Sequence, residues 1–132
     1  MSLMNRNTDY AVRAICFIAQ KPDKIIPADD LVQDLKISRP FLRKILQILN
    51  KKKILKSYKG KNGGFKLAVP PEKLFLIDVM KIFQGKFKLK DCLLSKNICP
   101  NRARCSLRRK LSEIEQYVAA ELEAISISSL LK

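Results

Sequence analysis

Apolar residues recur along this chain at two spacings, and the change from one to the other lays out its elements. Over residues 7–20, Val12, Ile15, Cys16 and Ala19 fall at i, i+3, i+4 and i+7, on one face of a helix. Lys21-Pro22-Asp23 ends that run. Pro27 suits the first turn of a second helix, with Asp29 and Asp30 matched to its N-terminal dipole and Leu31, Val32 and Leu35 as its buried side. Ser38 is a favourable N-cap for a third helix, with Pro40 in its first turn. Leu42, Ile45, Leu46 and Leu49 form the apolar stripe of that helix. Arg39, Arg43, Lys44, Gln47 and Asn50 form its polar side. Two short helices joined by Lys36-Ile37 predict a helix-turn-helix.

The pattern then turns to strands. Residues 54–58 and 65–69 read as a β-hairpin around a glycine-rich, cationic turn over 59–64. Gly60, Gly63 and Gly64 supply the left-handed or tight conformations that such a turn needs, and they keep its tip narrow. A helix-turn-helix followed by a basic hairpin is a winged helix, so the predicted fold is mainly α with a winged helix-turn-helix over residues 4–85. Residues 76–83 read as a short helix closed by Gly85. Residues 86–105 have little periodicity. From Ser106 to the end, Leu111, Ile114, Val118, Leu122, Ile125 and Ser129 recur every three or four residues, which predicts one long helix over 106–132. Its narrow apolar seam suits pairing with a copy of itself, giving a homodimer. Met1-Ser2-Leu3 ahead of a second Met4 reads as vector-derived and is left out of the fold reading.

Charge sharpens the picture. The 132 residues carry 27 Lys plus Arg against 12 Asp plus Glu, a net charge of +15, which points to a polyanionic partner. Between Asp34 and Glu72 there is no acid at all, and the same interval holds eleven cations: Lys36, Arg39, Arg43, Lys44, Lys51, Lys52, Lys53, Lys56, Lys59, Lys61 and Lys66. That interval spans the predicted recognition helix and wing. A solvated lysine-rich face is the plainer explanation, but cations concentrated on those two elements favour double-stranded DNA. Ser38, Arg39, Pro40, Arg43 and Lys44 would address base edges, where an arginine can fork onto guanine. Lys59, Gly60, Lys61 and Asn62 would meet phosphates or the minor groove. Phe41 could touch a thymine methyl, but its place in the pattern favours the core.

Cofactor chemistry rests on cysteine. The chain has no histidine, which removes every Ser–His and Cys–His nucleophile pair and every histidine metal site. Cys92, Cys99 and Cys105 are spaced C-x6-C-x5-C around Pro100. Three thiolates can converge on one centre, although the paired C-x2–4-C units of structural zinc are absent. An iron–sulfur cluster is held by cysteine thiolates; three ordinary cysteines, or a disulfide between two of them, is the alternative. Cys16 belongs to the core. No apolar run reaches the ~20 residues that cross a bilayer, and no secretory signal opens the chain, so a cytoplasmic protein without a membrane partner is expected.

Taken together, the residues resemble a known family. Thr8, Asp9, Tyr10, Ala11 and Arg13 form a T-D-Y-A-x-R first helix. A helix-turn-helix follows, then K-G-x-x-G-G-F-x-L from Lys59 to Leu67, three spaced cysteines and a long C-terminal helix. This order is similar to the Rrf2 family of bacterial winged-helix regulators, the group of IscR, NsrR and RirA. The resemblance implies a dimeric transcription regulator with its third helix in the major groove and its wing in the minor groove. It further implies an iron–sulfur cluster on the cysteine loop whose loss or alteration changes DNA affinity. The family wing usually opens Arg-Gly; here Lys59 keeps the charge without the bidentate fork. Some members supply a histidine after the third cysteine, where this chain has Arg108. With three cysteines and no histidine, Asp9 of the partner subunit is the candidate fourth ligand, and Asp91 the alternative. The expected function is a repressor, not an enzyme. The rivals are a zinc-bound, thiol-redox or partner-controlled regulator of the same fold and, from another class, a thiol redox enzyme.

Overall fold

A computed structural model describes residues 3–87 and 106–131. The expected cysteine loop from 88 to 105 lies outside the described residues. Helix α1 spans Arg6–Ala19 and is capped by Asn5, whose side chain accepts from the Thr8 amide at 2.8 Å. Its buried face is Ala11, Ala14, Ile15, Ile18 and Ala19, with Val12 and Cys16 at the half-buried margin. The face thus centres one position away from the stripe that Val12 and Cys16 suggest. Alanine is a weak hydrophobic signal, yet Ala11 and Ala14 are wholly buried because α1 packs at once against the third helix, the hairpin and the fourth helix. Only a small side chain permits that close approach.

Helix α2, Ala28–Leu35, and helix α3, Arg39–Lys51, form the helix-turn-helix. Lys36 makes the turn between them in the left-handed region, at φ 56°. Ser38 has the extended backbone of an N-cap, but its side chain makes no cap hydrogen bond. The ~1 kcal/mol that such a bond typically contributes is therefore missing. Leu42, Ile45, Leu46 and Leu49 are all buried as expected, and at ~1.5–3 kcal/mol each they outweigh that loss. The end of α3 is a Schellman motif: the Lys53 amide bonds the Asn50 carbonyl and the Ile54 amide bonds the Leu49 carbonyl, both at 3.0 Å. Lys53 holds the left-handed position of that motif at φ 64°.

Strands β1, Leu55–Tyr58, and β2, Gly64–Leu67, pair antiparallel with Leu55 opposite Leu67 and Tyr58 opposite Gly64. The connection between α1 and α2 adds a third, single-residue rung. Ile26 and Phe65 exchange two backbone hydrogen bonds of 2.9 Å. A Cβ on Gly64 would lie 2.3 Å from the Ile26 carbonyl oxygen, so this rung requires glycine there.

A 3-10 turn, Pro71–Lys73, leads to helix α4, Leu76–Gln84, which Gly85 ends at φ 75°. Helix α5 covers Ser106–Glu123, and the one-turn helix α6 covers Ile127–Leu130. The single helix expected from 106 to the chain end is therefore two. The backbone leaves the helix so that the Leu76 amide can bond the Ile125 carbonyl at 2.9 Å and the Ile127 amide the Leu74 carbonyl at 2.7 Å. Ser126 caps α6, and Ile127 is wholly buried in the main core. The seam divides accordingly. Val118, Ala119, Leu122 and Ile125 pack on Leu76, Ile77, Met80 and Phe87 of the same chain. Leu107, Ile114 and Tyr117 stay 67%, 51% and 69% exposed.

Candidate nucleic-acid interface

The recognition helix and the hairpin enclose one side each of a groove of about 460 Å³. Arg43, Gln47 and Asn50 line it from α3; Ser57, Tyr58, Lys59 and Gly63 line it from the hairpin. Helical spacing explains the first set, since residues 43, 47 and 50 lie one above the other on a single helix face. Ser38, Arg39, Pro40, Arg43, Lys44, Lys59, Gly60, Lys61 and Asn62 are all exposed, so every residue named from the sequence for DNA contact is accessible. Of the eleven cations, all are exposed except Lys66, which is half-buried. Phe41 is half-buried against the core and meets the Tyr10 ring edge-on, with centroids 5.5 Å apart. It is core-associated, in keeping with its place in the pattern.

The wing tip owes its shape to three residues. Gly60 and Asn62 take positive φ, at 92° and 67°. The Gly63 amide bonds the Gly60 carbonyl at 3.0 Å, and a Cβ on Gly63 would sit 2.2 Å from the Tyr58 carbonyl oxygen. Asparagine tolerates the left-handed region better than most side-chain-bearing residues, so the tip closes tightly while Lys59 and Lys61 stay exposed.

Several residues that line the groove are not among those the sequence names for DNA contact. Helical spacing puts Gln47 and Asn50 on the polar side of the third helix and Tyr58 ends the first strand, yet only the fold brings the three into one groove. Asp29 is different: it lies outside the acid-free interval in sequence, yet the fold sets its carboxylate against the Arg39 guanidinium as an ion pair. The interval free of acid along the chain is not free of acid in space.

The residues of the first-helix signature turn out to be mainly architectural. Thr8 is wholly buried, and its hydroxyl donates to the Gln84 side-chain oxygen at 2.7 Å. The same oxygen accepts from the Asn5 amide at 2.9 Å, and the Gln84 amide group donates to the Leu3 carbonyl at 2.9 Å. Asp9 accepts from the Arg13 Nε at 3.1 and 3.2 Å on the exposed side of α1. Of the four proposed cluster ligands only Asp9 is described; Cys92, Cys99 and Cys105 lie outside the described residues, as does Asp91. Among the described residues no group of three or more His, Cys, Asp or Glu could hold a metal ion. The three thiols in the sequence are the donor type that holds an iron–sulfur cluster. Cys16 is half-buried, and burial pushes its thiol pKa up, which keeps it protonated and inert. No described helix is long and apolar enough to cross a membrane.

Comparison with known proteins points to regulators of transcription. Residues 4–132 match the family model described as Rrf2, iron-dependent transcriptional regulator. An HTH-type transcriptional regulator of Aquifex aeolicus is 30% identical over 124 residues, covering 92% of this chain and 86% of the relative. The regulator NsrR of Bacillus subtilis is 25% identical over 127 residues, covering 95% and 87%. In three dimensions the chain is similar to CymR, the global cysteine regulator of B. subtilis, with a TM-score of 0.83 and 18% identity, covering 98% and 96%.

Proposed function

The chain belongs to the Rrf2 family of transcriptional regulators, and on that premise we propose that it is a homodimeric DNA-binding repressor whose operator affinity is set by an iron–sulfur cluster. The observation that carries the DNA reading is the groove between α3 and the hairpin, flanked by exposed cations on both elements. In this reading Ser38, Arg39, Pro40, Arg43 and Lys44 enter the major groove. Lys59, Gly60, Lys61 and Asn62 enter the minor groove or hold phosphates.

Cys92, Cys99 and Cys105 hold the cluster, with Asp9 of the partner subunit as the fourth ligand. When bound, the cluster supplies a redox-active and ligand-exchangeable iron centre. The cysteine segment begins just after α4, and Gln84 ties the end of α4 to Thr8 and Asn5 at the start of α1. Because α1 packs on α3, a shift at the foot of the segment has a packed route to the recognition helix. Arg13 holds the Asp9 carboxylate in the isolated chain, so cluster binding requires that pair to open.

Two measurements test the reading. Fluorescence anisotropy with a duplex selected by the protein should show a log–log salt slope that grows by about 0.9 per phosphate contact; a flat slope contradicts DNA binding. Anaerobic purification should yield a coloured protein with stoichiometric iron and sulfide. Cys99→Ala should lose the cluster, and Asp9→Ala should keep a labile one with an altered spectrum. Iron-free, sulfide-free protein that still binds the duplex would favour the cluster-free regulator of the same fold.

A further inference from the structure

The ion pair between Asp29 and Arg39 joins the two helices of the helix-turn-helix at the exposed mouth of the proposed DNA face. Asp29 lies in the first turn of α2, and Arg39 is the first residue of α3. Both side chains are more than half exposed, at 65% and 55%. A pair so exposed contributes little to folding. Its bearing is on direction instead, because the carboxylate stands against one side of the Arg39 guanidinium. Arginine at a helix start is long and mobile, and a carboxylate ten residues upstream confines it.

The atoms engaged are informative. The Nη1 group of Arg39 donates to Oδ1 of Asp29. Guanidinium has five donors, and a bidentate fork onto guanine O6 and N7 needs two of them side by side. With Nη1 held by the carboxylate, the edge formed by Nε and Nη2 remains for such a fork. We propose that Asp29 is a positioning residue that aims the free edge of Arg39 at a guanine and so sets sequence selectivity, while withdrawing this cation from indiscriminate phosphate contact. The proposal rests on the DNA-binding reading above. Asp29 also offsets one of the charges that would otherwise strengthen binding to any duplex, which makes it costly to non-specific affinity and useful to discrimination.

The experiment compares wild type, Asp29→Asn, Arg39→Lys, the double variant, and Asp30→Asn as a control. Asp30→Asn removes the same charge from the same turn, and Asp30 makes no ion pair with Arg39. Each protein is used to select duplexes from a randomised library, and is then titrated with the wild-type-selected duplex and with a scrambled one. Thermal melts confirm that all variants fold. In Asp29→Asn the ratio of selected to scrambled affinity should fall by about tenfold, the value of one good bidentate contact. Binding to the scrambled duplex should stay equal or rise. The re-selected duplexes should lose their preference for guanine at one position per half-site. The double variant should be no worse than Arg39→Lys alone, and Asp30→Asn should keep the wild-type ratio. If Asp29→Asn tightens binding to both duplexes equally, or matches Asp30→Asn, the carboxylate is only a repelling charge and the proposal fails. A wild-type protein that selects no duplex at all would overturn the DNA reading itself, a different outcome from a selective wild type indifferent to Asp29.

Discussion

At the scale of single residues, the two halves of the proposed interface call for different side chains. Arg43 stands in the groove between helix and hairpin, where its planar fork can read a base edge. Arg43→Ala should therefore lower affinity for a selected duplex by ~1–3 kcal/mol and affinity for a scrambled one by much less. Lys61 sits on the exposed wing tip as a point charge, and Lys61→Ala should weaken both duplexes alike and flatten the salt slope. Equal losses on both duplexes for both variants would contradict this division. Cys16 carries a prediction of pH. Burial raises its thiol pKa, so the thiolate forms more readily in the unfolded chain than in the native one. The resulting stability is complete below the ordinary thiol range and is lost as pH rises from there through the raised native value. Alkylation of Cys16 should accordingly be slow in native protein at neutral pH and fast in urea, as read by mass spectrometry. Comparable rates in both would show that Cys16 is not shielded.

At the scale of elements, the hydrophobic pattern made most of the fold legible. Leu42, Ile45, Leu46 and Leu49 announced α3, and Gly85 marked the end of α4, because periodicity and a terminal glycine are local signals. What stayed hidden was decided by partners distant in sequence. The break after Glu123 has no proline or glycine to announce it; it follows from backbone pairing with residues 74–76, about fifty positions upstream. The rung between Ile26 and Phe65 is equally silent, since nothing around Ile26 alternates like a strand. The Schellman motif at the end of α3 was hidden for the opposite reason, because lysine occupies the position where glycine is expected. Lys53→Gly should relieve the left-handed strain and stabilise the protein by ~1 kcal/mol. A melt by circular dichroism should show a rise of several degrees, and an unchanged or lower midpoint would mean that the lysine side chain contributes more than its backbone costs.

At the scale of the whole molecule, the site was legible as chemistry and hidden as geometry. Composition pointed to a polyanion and located the cations, but only the fold could bring Asp29 to Arg39 and Tyr58 into the same groove as Asn50. Assembly follows the same logic. The seam of α5 is spent at its C-terminal end on the chain's own core, whereas Leu107, Ile114 and Tyr117 face outward uncovered. In the proposed homodimer those three side chains are the surface on which the second copy would close. Ile114→Glu should yield a monomer that still folds, since among the described residues this position packs on neither buried cluster, whereas Leu122→Glu should not fold at all. Light scattering that finds a dimer in Ile114→Glu would move the subunit contact elsewhere.

The rung between Ile26 and Phe65 also constrains how such a chain can vary over time. It pins β2, at the end nearer the wing tip, to the segment between α1 and α2 through backbone atoms, with Gly64 leaving no room for a side chain. Lengthening the loop at Lys21–Lys24 or the tip around Lys61 would leave that register intact. A single inserted residue beside Gly64 would flip the following side chains of β2 to its opposite face, and one beside Ile26 would displace the rung itself. Descendants of this sequence should thus gain and lose residues freely at the tips and never at the rung, however far their side chains drift.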